Sequence, residues 1–200
     1  MNKNIAVFAS GNGTNFQSLV DAERDGNLLG QVKLLVSDKP ESFVNERAKI
    51  NGIPVFSFEP KKYESKKDYE SVIIDILREY KIDLIVLAGY MRIVGETLLL
   101  NYSDKIINLH PSLLPAFKGR NAIEQALNYG VKYTGVTMHF VDEGTDTGPI
   151  ITQSIVKIDD SDTLESLTKK IQQIEHSILI ESINLILTNR GWKKDKNIFS

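Results

Sequence analysis

Asn108 and His110 stand two positions apart at the end of an apolar run, within Ile107-Asn108-Leu109-His110-Pro111-Ser112-Leu113-Leu114-Pro115. Side chains alternate along a strand, so both point to one face, and Pro111 then stops the strand. An asparagine amide can donate to an oxyanion, and a histidine can shuttle a proton. Further along, Asp142-Glu143-Gly144-Thr145-Asp146-Thr147-Gly148-Pro149 offers Asp146 as a third member. On spacing alone Asp146 reads equally as the start of an Asx turn, and nothing local says whether it touches His110. The chain has three histidines. His139 lies in the alternating run Thr137-Met138-His139-Phe140, where a hydrogen-bonded structural imidazole fits as well as a catalytic one. His176 sits beside Glu175 in a helical stretch where solvated polar residues are expected. His110 differs because it ends a buried-type strand at the carboxyl edge, where α/β sheets bind ligands.

A second cluster follows the first apolar run: Ser10-Gly11-Asn12-Gly13-Thr14-Asn15, then a helical stretch with Phe16, Leu19 and Val20. Two glycines let the backbone turn tightly and present N–H groups, the helix start adds its dipole, and Thr14 and Asn15 add side-chain donors. That suits one phosphate group; the alternative is a turn that merely uses glycine. A dinucleotide fingerprint would place a third glycine where Phe16 stands, and the Gly-Lys-Ser/Thr ending of a P-loop is missing. Asp38, after the second strand, leaves open a degenerate ribose site.

These residues need a scaffold, and the periodicity supplies one. Strands are predicted over 5–9, 32–36, 54–58, 83–88, 105–110, 134–141 and 150–158, the last two longer, more alternating and suited to antiparallel pairing. Tyr69, Val72, Ile73, Ile76, Leu77 and Tyr80 predict a one-faced helix. Asp162-Thr163-Leu164-Glu165 reads as a capping box opening a long closing helix with the stripe Leu164, Leu167, Ile171, Ile174, Ile178 and Leu185. A coiled coil would need apolar residues at Glu181 and Thr188, so the stripe is expected to pack on the sheet. Short strands alternating with helical segments define an α/β fold, with a mostly parallel central sheet and helices on both faces. No linker or repeat interrupts it, so residues 1–200 are expected to form one domain. The tail Lys193-Lys194-Asp195-Lys196-Asn197 reads as a frayed end.

Composition narrows the function classes. The 200 residues can bury a core without staples. With 24 Lys+Arg against 26 Asp+Glu and a formal charge of −2, the chain has no basic field for sequence-independent nucleic-acid binding. Cysteine is absent, which removes disulfides, thiolate metal sites and cysteine nucleophiles, and leaves a cytoplasmic protein as the simplest reading. The opening apolar run, Ile5 to Ala9, is too short for a signal-peptide core or a membrane span.

Taken together, Asn108, His110, the Ser112-Leu113-Leu114-Pro115 run and the Asp146 loop resemble the formyltransferase family that uses 10-formyltetrahydrofolate. The Ser10-to-Asn15 loop narrows the resemblance to the branch acting on glycinamide ribonucleotide in purine (IMP) synthesis. The likeness runs over about residues 5 to 185 and includes Leu87-Ala88-Gly89-Tyr90-Met91-Arg92-Ile93, Thr134-Gly135-Val136-Thr137-Met138-His139-Phe140-Val141 and Glu175-His176. It implies a Rossmann-like fold, with a phosphate-binding half over about 1–100 and a catalytic half over about 101–200. It further implies that Gly13, Thr14 and Asn15 hold the substrate phosphate and that Glu175 accepts from the glycinamide amine. The pterin is seated by the backbone around Arg92, Val94 and Val141-Asp142, against apolar walls around Leu87 and Met91 and the adjoining Ile93. Where the family pattern has a phosphate-assisting arginine, Lys66 stands here, keeping the charge but losing bidentate geometry.

By the same resemblance, the neutral amine attacks the formyl carbon, Asn108 and His110 steady the oxyanion, and Asp146 with a water moves the proton towards N10 of the leaving folate. No metal and no covalent enzyme intermediate is implied. The partners are small molecules, with no nucleic acid and no membrane, and the protein a monomer or weak homodimer. Relatives that hydrolyse 10-formyltetrahydrofolate usually carry an extra N-terminal domain, and those that formylate methionyl-tRNA a C-terminal extension. A catalytically silent nucleotide- or folate-binding protein is expected to lack Asn108, His110 or Asp146.

Overall fold

A computed structural model describes residues 3–188; the charged tail at 193–197 lies outside them. Seven strands form one sheet, β1 (Lys3–Phe8), β2 (Gly30–Ser37), β3 (Val55–Ser57), β4 (Leu84–Leu87), β5 (Ile106–His110), β6 (Tyr133–Phe140) and β7 (Ile150–Lys157), in the order β3-β2-β1-β4-β5-β6-β7. The pairs from β3 through β5 are parallel, whereas β5 with β6 and β6 with β7 are antiparallel. All seven expected strands are present, and the last two pair as their alternation suggested.

Strand alternation sends side chains to two cores. Ile5, Val7 and Val86 pack beneath α1 (Thr14–Arg24), α2 (Phe43–Ile50) and the long α6 (Leu164–Thr188), while Ala6, Phe8 and Ile85 pack against α3 (Lys66–Glu79) and α4 (Glu96–Asn101). A further helix, α5 (Ala122–Tyr129), leans on α6. Helix α6 lies along the sheet, as its interrupted stripe required, with Leu167, Ile171 and Ile178 buried. Leu164, expected in that stripe, is instead 43% exposed at the first residue of the helix.

Two local expectations shift by about one residue. The reciprocal cap of α6 pairs Thr163 with Ser166: each backbone N–H donates to the other's hydroxyl, while Glu165 binds Lys169 instead. On α3, Val72 is exposed, and the buried face takes in Ile74 and the charged Glu70. Glu70 is tolerated there because its carboxylate accepts from the N–H groups of Gly95 and Leu98, capping α4. Helices α2, α4 and α5 escape the periodicity because each is short; α2 buries only Val44 and Ala48 among its apolar residues and leaves Phe43 and Ile50 exposed. Among the described residues no helix is long and apolar enough to cross a membrane.

Candidate active site

The carboxyl ends of β1, β4 and β5 open into a cleft of about 900 Å³. Its floor holds Asn108 and His110, on the same face of β5 as the strand period required. Asp146 reaches them from the β6–β7 hairpin loop: Oδ2 lies 3.3 Å from His110 Nδ1, and Oδ1 lies 3.4 Å from Asn108 Nδ2. Asp146 is not the Asx-turn residue of its loop. That part falls to Asp142, whose Oδ1 accepts from the Gly144 N–H and the Thr147 hydroxyl. Glycine at 148 lets the hairpin close tightly, since a Cβ there would overlap the Phe140 carbonyl. Asp146 itself adopts φ +53°, an uncommon left-handed conformation that aims its carboxylate inward.

His139 completes the cluster. The antiparallel register sets it opposite Asn108, and its Nε2 lies 3.1 Å from Asn108 Nδ2 and 3.5 Å from Asp146 Oδ1. Its Nδ1 is 2.8 Å from the Phe140 carbonyl, which only accepts, so the first ring proton belongs there. Nε2 is the nitrogen shared between Asn108 and Asp146. The period of 134–141 left His139 undecided; its function-bearing signal was the pairing of β6 with β5, a long-range contact.

His110 is anchored by one ring nitrogen and faces Asp146 with the other. Nε2 donates to the Phe117 carbonyl at 2.9 Å, leaving Nδ1 to face Asp146. Burial pushes this imidazole below its ordinary pKa, outweighing the opposing pull of the Phe117 carbonyl and Asp146. Burial alone would raise the Asp146 carboxyl, yet hydrogen bonding from His139 and the Gly119 N–H, with His110 alongside, holds it below the usual carboxylate range. The resting arrangement is a carboxylate beside a neutral imidazole whose Nδ1 is ready for a proton.

At the other end of the cleft, Gly13 caps α1 with φ +77°, and a Cβ there would overlap Val44 of α2. Asn15 lines the cleft and donates to Glu175 at 3.0 Å, so two residues distant in sequence share one wall. Burial raises the Glu175 carboxyl, opposed by the Asn15 bond. Arg47, which sequence reading did not single out, clasps Asn12 through its carbonyl at 2.8 Å and its side-chain oxygen at 2.9 Å. Gly13, Thr14 and Lys66 are outside the cleft lining. Lys66 is the clearest departure: its ammonium donates to the Ile93 carbonyl at 3.2 Å, on the far segment, because α3 packs against the stretch entering α4. His176 also lies outside the lining.

Leu87, Met91, Arg92, Ile93, Val94, Val141 and Asp142 all line the cleft. Leu87 and Val94 are buried walls, whereas Met91 and Ile93 expose more than half of their surface. An apolar slot with open backbone beside a donor–base–acid cluster suits a flat heterocycle carrying a transferable acyl group.

The chain belongs to the formyl transferase family, whose profile matches residues 3–183. It is 51% identical to the phosphoribosylglycinamide formyltransferase of Bacillus subtilis (strain 168) over 193 residues, 96% of this chain and 99% of that protein. The crystal structure of glycinamide ribonucleotide transformylase 1 from Geobacillus kaustophilus superposes with a TM-score of 0.92 at 51% identity, covering 94% of this chain and all of that one. The trifunctional purine biosynthetic protein adenosine-3 of Homo sapiens is 39% identical over 91% of this chain, which corresponds to 18% of its own length.

Proposed function

We propose that this protein transfers the formyl group of 10-formyltetrahydrofolate to the amine of glycinamide ribonucleotide, giving the N-formyl product and tetrahydrofolate. The observation that carries the reading is the convergence of Asn108, His110 and Asp146 on one point of a cleft whose lining also takes in Asn15, at the end of the glycine loop, and Glu175. Near-full-length likeness to named transformylases supports the choice of substrates.

Gly13, Thr14 and Asn15 hold the phosphate through loop N–H groups and side-chain donors, and Glu175 accepts from the glycinamide amine. Leu87, Met91 and Ile93 wall the pterin, with backbone groups at Arg92, Val94, Val141 and Asp142 reading its edge. Lys66 serves this folate side by holding Ile93, rather than the phosphate. Asn108 turns an amide hydrogen from its long contact with Asp146 towards the formyl oxygen as the amine adds, and His110, its Nε2 tied to the Phe117 carbonyl, keeps Nδ1 beside Asp146 to share the proton in transit. Asp146, through a water, accepts the proton of the amine and passes it towards N10 of the departing folate. We read the protein as cytoplasmic and as a monomer or weak homodimer, and its near-neutral charge fits small-molecule rather than nucleic-acid partners.

The test is a spectrophotometric assay with 10-formyl-dideazafolate, with and without glycinamide ribonucleotide. Deformylation only with the ribonucleotide supports transfer. Deformylation without it would make the protein a hydrolase, and silence in both a binding protein.

A further inference from the structure

The two ends of the cleft rest on different segments, the glycine loop at 11–15 and the irregular stretch 88–95 between β4 and α4. One buried side chain joins them. Ser10, 3% exposed, gives its N–H to the Gly89 carbonyl at 3.1 Å. Its hydroxyl accepts the Met91 N–H at 2.9 Å and donates to Asp38 Oδ1 at 2.5 Å. The directions are forced, because an amide N–H only donates and a carboxylate only accepts. The bond to Asp38 is short and charge-assisted, so it fixes the hydroxyl rotor and points a lone pair at Met91.

Asp38 stands at the end of β2, where dinucleotide-binding folds keep an acid for a ribose. Here its side chain is buried, one oxygen on Ser10 and the other 3.8 Å from Arg92 Nη1. The Arg92 guanidinium is steadied in turn 5.7 Å above the Tyr69 ring. Residues 89–92 have neither strand nor helix of their own to set their backbone. Three of their anchors, the Gly89 carbonyl, the Met91 N–H and the Arg92 guanidinium, lead to Ser10 and Asp38, beside the packing of Tyr90 on Phe8.

We propose that Ser10 and Asp38 are positioning residues that set the backbone of residues 89–92 for folate, making folate affinity depend on the residue that opens the phosphate loop. This rests on the transfer reading above, and it gives the acid at the end of β2 a folate-side role in place of ribose binding.

The experiment is direct titration, on wild type, Ser10→Ala and Asp38→Asn, of 5,8-dideazafolate and separately of glycinamide ribonucleotide, with melting curves for each protein. Ser10→Ala should weaken the folate analogue about tenfold, the effect of losing a hydrogen bond that backs a charged group, and the ribonucleotide less than about twofold. Asp38→Asn keeps an acceptor for the Ser10 hydroxyl and loses the attraction for Arg92, so it should weaken the folate analogue about threefold with the same selectivity. Asp38→Asn also carries the test if Ser10→Ala does not fold. Wild-type folate affinity in the folded variants, or equal losses for both ligands, would overturn the positioning role. A wild-type protein that binds neither ligand would overturn the transfer reading itself.

Discussion

Asp146 Oδ2 lies 3.3 Å from His110 Nδ1 and accepts the Gly119 N–H at 2.8 Å, while the other nitrogen of His110 is committed to the Phe117 carbonyl. A proton reaching the imidazole has one place to go, between His110 and Asp146. Because burial lowers the His110 pKa from 6.5, the neutral ring persists to lower pH than in an unfolded chain. Transfer that needs this neutral ring declines only as pH falls through that depressed value. The stability linkage has the same sign: as pH drops below 6.5 the unfolded chain takes up a proton that the native ring resists, so stability declines. In His110→Asn the acid limb of kcat assigned to the imidazole should vanish. An unchanged pH–rate profile would show that another group titrates.

Asn108→Ala removes the amide donor while leaving both binding walls in place. Loss of one oxyanion donor typically costs ~10²–10³ in kcat, so the rate should drop by that factor with both KM values nearly constant. Steady-state kinetics with each substrate varied decides it, and an unchanged kcat would remove Asn108 from the chemistry.

Asp146→Asn is a mild change for the backbone, since asparagine tolerates the left-handed conformation at φ +53°. The melting temperature should remain close to wild type, while kcat falls by ~10²–10⁴ for want of a proton acceptor. Activity within a few-fold of wild type would contradict the assignment.

Glu175→Gln separates stability from function. A carboxyl whose native pKa is raised above 4.5 stabilises the fold below that value, and this contribution is lost as pH rises through the native pKa. At pH 7 the glutamine variant should therefore melt no lower than wild type, with any advantage disappearing below about pH 4.5. Its KM for the ribonucleotide should rise, because the amine exchanges a carboxylate acceptor for a weaker, neutral amide oxygen. Melting curves at two pH values, with KM, test both halves.

Lys66→Ala distinguishes the observed contact from the one the family pattern suggested. Loss of the bond to the Ile93 carbonyl should raise the folate KM about fivefold and leave the ribonucleotide KM nearly unchanged. The opposite split would return Lys66 to the phosphate.

Much of the molecule follows from local rules. Short apolar runs mark the parallel strands, because a parallel sheet covered on both faces buries both sides of each strand, and alternation marks the last two. Asn108 and His110 share a face by strand geometry alone, and the glycine loop after β1 follows from the need to turn into α1. The short helices α2, α4 and α5 left weak periodic signals, and the buried face of α3 includes Glu70 for a reason that lies in α4.

The amino-acid sequence thus determined the α/β class, the strands, the phosphate-type loop and the candidacy of Asn108 and His110, all properties of neighbours in the chain. Tertiary structure alone decided that Asp146 faces His110, that His139 stands opposite Asn108, that Lys66 serves Ile93 and that Ser10 holds Met91. Each of these depends on sheet order, hairpin register or the packing of α3 on the segment entering α4. Such contacts arise when separate segments bury their apolar faces together, a free-energy balance over the whole chain that no local spacing encodes.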